Sequence, residues 1–155
     1  MSKRILVSSL IGAAALGAVA AGGLAMASTT TAPILENGSA RYTAPSDAAA
    51  GTLVFTADVS DDSGVRGLKV LAWPASSKLD PTGAELRSVE DATCLRITAE
   101  MSRCTYTLRI TEEEAAGAAT GIWYVSALAT AEDGDTTFVP RAATFELPEG
   151  PVGAR

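Results

Sequence analysis

Apolar and polar residues alternate along residues 52–73, and the rest of the chain is organised around this stretch. In its first half every second residue is apolar, as in a β-strand with one buried face. These residues are Leu53, Phe55, Ala57 and Val59. After the polar turn 61–64, the apolar residues share one face only if Gly67 accommodates an extra residue as a β-bulge. They are Val65, Leu68, Val70 and Ala72. The pattern predicts two strands that a turn joins into a hairpin.

Further alternation in the second half of the chain predicts a second hairpin. Its strands are 121–131 and 136–147, and the pair Asp133-Gly134 between them suits a tight turn. Pro140 cannot donate to a strand ladder, which indicates an edge strand or a bulge. Shorter strands are predicted at 40–43 and 105–110.

Two places favour a short helical turn. Thr111 precedes three glutamates and then small residues ending in Gly117, which is the form of a capping box with a glycine stop. Consecutive helical residues point in different directions, so we favour this cap over a metal or base cluster of Glu112, Glu113 and Glu114. Residues 74–93 are predicted to be a long loop that holds a short strand or a helical turn begun by Asp80-Pro81. Its buried positions are predicted to be Leu86 and Val89.

About seven short strands and no long helix predict an all-β protein with one two-sheet antiparallel sandwich. A small barrel is the alternative. The domain is predicted to span residues 39–147, after a flexible, Thr-rich tether at 28–38. Residues 148–155 are predicted to form a disordered tail because two prolines and two glycines interrupt them.

The first 27 residues have the features of a signal peptide. Lys3 and Arg4 precede an uncharged, Ala- and Gly-rich run at 5–26, and Ala25-Met26-Ala27 matches the small-x-small pattern of a cleavage site. The alternative is an uncleaved membrane anchor, since the run is long enough to span a bilayer. We favour cleavage after Ala27 because polar residues follow without a positive stop-transfer cluster. The sequence therefore predicts a secreted, extracellular protein with no membrane span after cleavage.

Charge and composition exclude several classes of function. Without Lys3 and Arg4 the chain has ten basic and eighteen acidic residues, hence a net charge of −8. Nucleic acids and anionic lipids bind to clustered Lys and Arg, so neither is expected as a partner. The sequence contains no histidine, which excludes His-dependent triads and His-ligated metals. No catalytic residues and no cofactor are predicted.

Five aspartates near the two predicted hairpin turns carry the oxygen ligands that calcium prefers. They are Asp58, Asp61, Asp62, Asp133 and Asp135. Asp and Gly also supply ordinary turn chemistry, and no complete pattern such as an EF-hand loop is present. We favour the turn interpretation, so the sequence predicts no metal site.

Cys94 and Cys104 are the only cysteines, and they lie ten residues apart on either side of a predicted turn. Antiparallel strands bring residues at such positions within bonding range, and exported proteins retain disulfides. We therefore predict an intramolecular Cys94–Cys104 bridge. The segment 95–103 between them is either a presented recognition loop or a stapled hairpin, and we favour the hairpin.

Several segments also carry a family resemblance. ADVSDDSGVRGLKV and GIWYVSALATAEDG resemble the B-to-C and F-to-G hairpins of bacterial immunoglobulin-like (Ig-like) and fibronectin-III-like domains. The whole chain, with SARYTAP, LAWPASSKLDP and FVPRAATF, resembles a family of small secreted actinobacterial proteins of Streptomyces type whose domain has no assigned function. The resemblance implies an Ig-like sandwich and no activity. The two cysteines depart from antibody-type domains because they are too close in sequence for the usual bridge between sheets.

These observations favour a secreted, non-catalytic Ig-like domain that acts as a binding or structural module. Its expected partner is an extracellular protein or a cell-surface component, and the domain is expected to be a monomer. The alternative is a secreted protein inhibitor, for example of proteases, that presents the segment 95–103 or 74–93. Only scattered carboxylates favour an enzyme, and any acidic surface shows those.

Secretion with cleavage is directly testable. The intact mass of the exported protein should correspond to a chain that begins at Ser28, because the cleavage pattern ends at Ala27. A membrane-retained species that keeps Lys3 and Arg4 would overturn the prediction.

Overall fold

The computed structural model describes residues 31–149, which form seven strands and two short helices. The strands are β1 (Ile34–Thr43), β2 (Gly51–Ser60), β3 (Val65–Pro74), β4 (Thr93–Arg96), β5 (Met101–Ile110), β6 (Gly121–Ala131) and β7 (Thr136–Leu147). The helices are α1 (Gly83–Leu86) and α2 (Glu112–Gly117). The predicted signal peptide and residues 150–155 of the predicted tail lie outside the described residues.

The strands form two antiparallel sheets that pack as a sandwich. One sheet has the order β1-β2-β5-β4 and the other has the order β3-β6-β7. Lettered A to G along the chain, the strands give ABED and CFG sheets, which is the arrangement of a constant-type immunoglobulin domain. The predicted all-β sandwich is therefore confirmed.

The predicted hairpin at 52–73 is wrong in one respect. Both strands are present, but β2 pairs with β1 and β5, whereas β3 pairs with β6. The turn 61–64 thus carries the chain from one sheet to the other. The apolar alternation is the same for two strands of one sheet and for two strands that face each other, because either arrangement buries one face of each strand.

The core lies between the two sheets. Phe55 and Val59 from β2 share one buried cluster with Leu68 and Val70 from β3 and Val125 from β6. Each of these five side chains is at most 2% exposed. The register of β3 on β6 shifts between Val65 and Gly67, which confirms the predicted bulge and lets the residues on both sides of it face inward.

Strand β1 begins earlier than predicted. It starts at Ile34, so residues 34–38 belong to a strand, with 34–36 paired to β2, and are not part of a flexible tether. Its register on β2 shifts between Glu36 and Ser39, and Asn37 there has a positive φ of 55°. A Cβ at Gly38 would collide with the carbonyl oxygen of Ala142 in β7. The Asn37-Gly38 pair is thus a bulge that brings β1 close to β7. Asn-Gly pairs are also typical of loops, and the sequence alone does not show the partner strands, so the prediction placed this pair in a tether.

The segment between β3 and β4 covers the outer face of the second sheet. It contains α1, whose cap is Thr82 with Glu85, so the helical turn begins two residues after the predicted start. Leu86 is fully buried, and so is Ser126 on β6. Ser126 accepts a hydrogen bond from the Trp73 indole at 2.9 Å and donates one to the Pro140 carbonyl at 2.7 Å. The central strand β6 is consequently buried on both faces, whereas the alternation of its residues predicted only one buried face.

The edge of β3 is also covered. The amide of Val70 donates to the carbonyl of Glu90, and the amide of Ala92 donates to the carbonyl of Leu68 at 2.8 Å. The Lys69 ammonium lies 2.9 Å from the Asp91 carboxylate beside these bonds. The chain then crosses to the other sheet as β4. These contacts protect a strand edge that would otherwise be open to pairing with another chain.

Three local predictions in the second half are confirmed. Thr111 and Glu114 form the capping box of α2. Gly134 has a positive φ of 98° in the turn of the β6–β7 hairpin. The register of this hairpin is irregular between Val125 and Ala127, where β7 passes Pro140.

The disulfide is present and lies inside one sheet. Cys94 and Cys104 are directly paired residues of β4 and β5, with a Cα–Cα distance of 4.0 Å. Cys104 is fully buried in the core, and Cys94 packs against it from the edge strand. The bridge therefore holds the four-residue strand β4 on the sheet, where its few backbone bonds would hold it weakly.

Removing the bridge should lower stability without abolishing the fold. Closing a loop of this length stabilises by about 2.5–3 kcal/mol in the chain-entropy model, which corresponds to about 10 °C in melting temperature for a domain of this size. We expect Cys94→Ala with Cys104→Ala to melt at a temperature about that much lower, with a β-rich circular dichroism spectrum at 25 °C. Reductant should lower the melting temperature of the wild type and leave the double variant unchanged. Two reactive thiols in the unreduced protein would contradict the bridge.

Candidate functional site

Three turns meet at one end of the sandwich. They are residues 61–64 between β2 and β3, residues 97–100 between β4 and β5, and residues 132–135 between β6 and β7. We call this end the turn end. In the lettering of Ig domains these are the B–C, D–E and F–G connections, and the B–C and F–G loops of variable domains are antigen-binding loops.

Backbone hydrogen bonds join the three turns. The amide of Asp61 donates to the carbonyl of Glu100 at 2.8 Å, and the amide of Glu132 donates to the carbonyl of Gly64 at 3.0 Å. Gly64 has a positive φ of 99°, and a Cβ there would lie 3.1 Å from the carbonyl oxygen of Ala99. The B–C turn is thus bonded on both sides, and glycine is needed at this position.

Ser63 connects two of the turns through its side chain. Its hydroxyl donates to Asp61 Oδ1 at 2.6 Å and accepts from the amide of Asp133 at 3.2 Å. The amide of Ser63 also donates to Asp61 Oδ1, at 2.9 Å. Ser63 was not among the predicted site residues, although Asp followed two positions later by Ser is the spacing of an Asx turn. Its contact with Asp133, 70 residues away, has no local signal.

The turn end brings together three of the five aspartates considered from the sequence. One carboxylate oxygen each from Asp61, Asp62 and Asp133 lies within 4.8 Å of the other two. Asp61 is only 6% exposed, whereas Asp62 and Asp133 are exposed. The hydroxyl of Ser63 holds the pKa of Asp61 below its ordinary value by donating to the ionised form.

The other two aspartates lie outside this group. Asp58 accepts two hydrogen bonds from Arg103, at 2.8 and 3.1 Å, and a third from Asn37 at 3.0 Å. Its carboxylate therefore has a cationic partner within the fold, and Arg103 lowers its pKa. Asp135 contributes its amide, which donates to Asp133 Oδ1 at 3.0 Å. The sequence could not separate these roles because partners such as Arg103 are distant in the chain.

The stapled segment beside the turn end is a hairpin, as favoured from the sequence. Residues 93–96 and 101–110 are strands, so only 97–100 form the turn. Two large apolar side chains on it face solvent: Leu95 is 69% exposed and Ile97 is 50% exposed. The turn end thus combines an acidic group with an exposed apolar pair.

The remaining grooves hold little chemistry. One of about 470 Å³ is lined by threonines of β4 and β5 together with Glu90, Asp91 and Tyr106. The phenol of Tyr106 donates to Glu90 at 2.8 Å, and burial raises its pKa, with Glu90 adding to the effect. The phenol is therefore protonated at neutral pH and is a poor nucleophile or base there. The three glutamates lie in the first turn of α2, and Glu114 completes the capping box that the sequence indicates by accepting from the amide of Thr111.

Neither helix within residues 31–149 has the length and apolarity that a bilayer crossing demands.

Fold and site together define a small Ig-type sandwich with a disulfide inside one sheet and a polar, turn-built end. The chain belongs to a family of unknown function, DUF5707, whose sequence model matches residues 35–129. The match runs from β1 through most of β6, and it confirms the predicted relationship to a domain without an assigned function. No curated protein and no solved structure is significantly similar to the chain.

The Asp58–Arg103 pair should make stability depend on pH. Folding depresses the pKa of Asp58, so its stabilisation is complete above the unfolded-state pKa of about 3.9 and is lost as the pH falls through the lower folded-state value. Asp58→Asn should lower the urea midpoint at pH 7, and the difference from wild type should close as the pH falls below about 4.

The matched control is Asp47→Asn, which removes the charge of an exposed carboxylate in the β1–β2 connection. We expect this variant to follow the wild type at every pH. A gap between Asp58→Asn and wild type that persists undiminished at pH 2 would contradict the ion-pair account.

Proposed function

We propose that this protein is an extracellular, non-catalytic Ig-type module that binds a protein or a cell-surface component through its turn end. In this proposal the domain acts as a monomer. The observation that carries the proposal is the joining of three turns at one end of the sandwich, next to two exposed apolar side chains.

The turn end is suited to recognition in two ways. Backbone bonds between the turns, and the disulfide beside them, reduce the conformational entropy that a partner would have to remove on binding. Leu95 and Ile97 supply apolar surface, and the aspartates around the turns supply a polar, negatively charged rim. Ig domains commonly use the loops at one end of the sandwich in this manner.

The signal-peptide features and the disulfide support the extracellular part of the proposal. The first 27 residues have signal-peptide features, and disulfides persist mainly in oxidising compartments. The sequence also resembles small secreted actinobacterial proteins. Absence of histidine from the chain and the protonated state of Tyr106 favour binding over catalysis.

Protease inhibition is the alternative function, and the experiment has to distinguish it from binding to a protein or a cell-surface component. The hairpin 93–110 would present Leu95 to an enzyme from a strand, and the segment 74–93 would present Leu79, which is 47% exposed. Residues 81–86 of that segment are anchored by the buried side chains of Pro81 and Leu86. The β4–β5 hairpin is therefore the better placed of the two.

A comparative capture experiment tests the proposal. The purified protein would be crosslinked in culture supernatant and in cell-envelope extract, beside Leu95→Lys and the matched control Ile122→Lys. Ile122 is 56% exposed and lies near the start of β6, far along the sandwich from the turn end. We expect one component to be enriched with the wild type and the control and lost with Leu95→Lys, with direct binding to the purified component at a 1:1 ratio.

Loss of the component with Ile122→Lys but not with Leu95→Lys would place the binding surface elsewhere. Saturable inhibition of extracellular proteases by the wild type, abolished by Leu95→Lys, would replace the proposal by the inhibitor alternative.

A further inference from the structure

The carboxylates of the turn end form a compact anionic group contributed by two turns. Asp61 and Asp62 follow β2, and Asp133 follows β6, yet one oxygen of each lies within 4.8 Å of the others. Within residues 31–149 the ion pairs are made by other acidic residues, namely Asp58, Asp91 and Glu132. Three like charges at this separation repel one another unless a cation lies among them.

A second feature of the same place is a buried oxygen without a partner. Asp61 is 6% exposed, and its Oδ1 accepts two hydrogen bonds from Ser63. Its Oδ2 is inaccessible to solvent and has no hydrogen-bond partner among the described residues. A buried carboxylate oxygen without a hydrogen-bond donor is costly, and in a folded protein it requires an explanation such as a bound ion or an ordered water. A bound cation beside Asp62 and Asp133 would satisfy it.

The neighbouring cation of the protein is already engaged. The guanidinium of Arg66 donates to the backbone carbonyl of Glu132 and lies 3.8 Å from the Glu132 carboxylate. It thus pairs with the residue next to Asp133 and not with the three carboxylates. Among residues 31–149, therefore, no ion pair offsets the charge of Asp61, Asp62 and Asp133.

Hydrogen bonds donated by two backbone amides of the F–G turn hold the two turns together. Glu132 donates to Gly64, and Asp133 donates its amide to Ser63. Asp133 Oδ1 accepts from the amide of Asp135, which orients the carboxylate and leaves Oδ2 for a ligand. The anionic group is therefore positioned in advance, against its own repulsion.

We propose that Asp61, Asp62 and Asp133 bind a calcium ion that joins the B–C and F–G turns. Carboxylate oxygens are hard ligands, and calcium accepts carboxylates together with waters at six to eight positions in flexible geometry. Magnesium demands a stricter octahedron at shorter distances, and softer metals prefer imidazole or thiolate. The exposed sides of Asp62 and Asp133 leave room for the waters that complete the shell. This site does not depend on the proposed partner, since metal binding is measured on the protein alone.

Titration of chelator-treated protein with CaCl2 tests the proposal. We expect calorimetry to give one site, with a dissociation constant in the range of about 10⁻⁴–10⁻³ M that extracellular modules show. At 10 mM CaCl2 the melting temperature should rise by about 5–10 °C. NaCl at matched ionic strength should give a smaller rise, because screening weakens repulsion without filling the site.

Asp133→Asn gives the sharpest comparison, because asparagine keeps the Oδ1 acceptor for Asp135 and removes one charge. Its dissociation constant for calcium should rise at least about tenfold. Without calcium it should melt at the same temperature as the wild type or higher, since repulsion is relieved, and with 10 mM CaCl2 it should melt lower. A merely structural role for Asp133 would lower the melting temperature under both conditions. The matched control is Asp135→Asn, which should bind calcium as the wild type does.

Three results would overturn the site: no saturable calcium binding by the wild type, equal stabilisation by NaCl, or equal loss of binding in Asp135→Asn and Asp133→Asn. If Asp133→Asn does not fold, Asp62→Asn takes its place with the same expectations. A calcium site found without any partner at the turn end would leave this inference standing and the proposed function refuted.

Discussion

The structure depends on one core between the two sheets, to which β2 and β3 contribute from opposite sheets. Each strand has one apolar face, and neither face is covered by its own sheet neighbours. The turn 61–64 must therefore carry the chain across the sandwich, and the two apolar faces then form the centre of a single core with β6. Pairing of the other strands follows, because β1, β4 and β5 extend the sheet of β2 while β6 and β7 extend that of β3.

The same crossing creates the turn end. Bringing β2 to β3 places the B–C turn beside the F–G turn, and the amides of Glu132 and Asp133 then find acceptors on Gly64 and Ser63. The aspartates that terminate these strands are driven together by those bonds. Folding energy from the core thus maintains an arrangement of charges that would not form alone, which is a common property of functional sites.

The disulfide stabilises the short outer strand β4. Strand β4 has four residues and is an outer strand of its sheet, so it gains little from pairing. Cys94 fastens it to β5 at the fully buried Cys104. This bridge stands where two strands of one sheet are adjacent, and it keeps the exposed residues Leu95 and Ile97 in a fixed position next to the turn end.

Local sequence alone determined much of this protein. The alternation at 52–73 and 121–147, the Gly67 bulge, the Thr111 cap, the Asp133-Gly134 turn and the bridge of Cys94 to Cys104 were all predictable, because each rests on contacts within a strand, a turn or one hairpin. Tertiary structure decided which sheet each strand joins, since β2 and β3 show the same alternation whether paired or facing. It also decided that the Asn37-Gly38 bulge belongs to a strand, that Asp58 pairs with Arg103, and that Asp61 and Asp62 meet Asp133. The partners in those contacts are 17 to 72 positions apart, and nothing in a local pattern reports a distance across the fold.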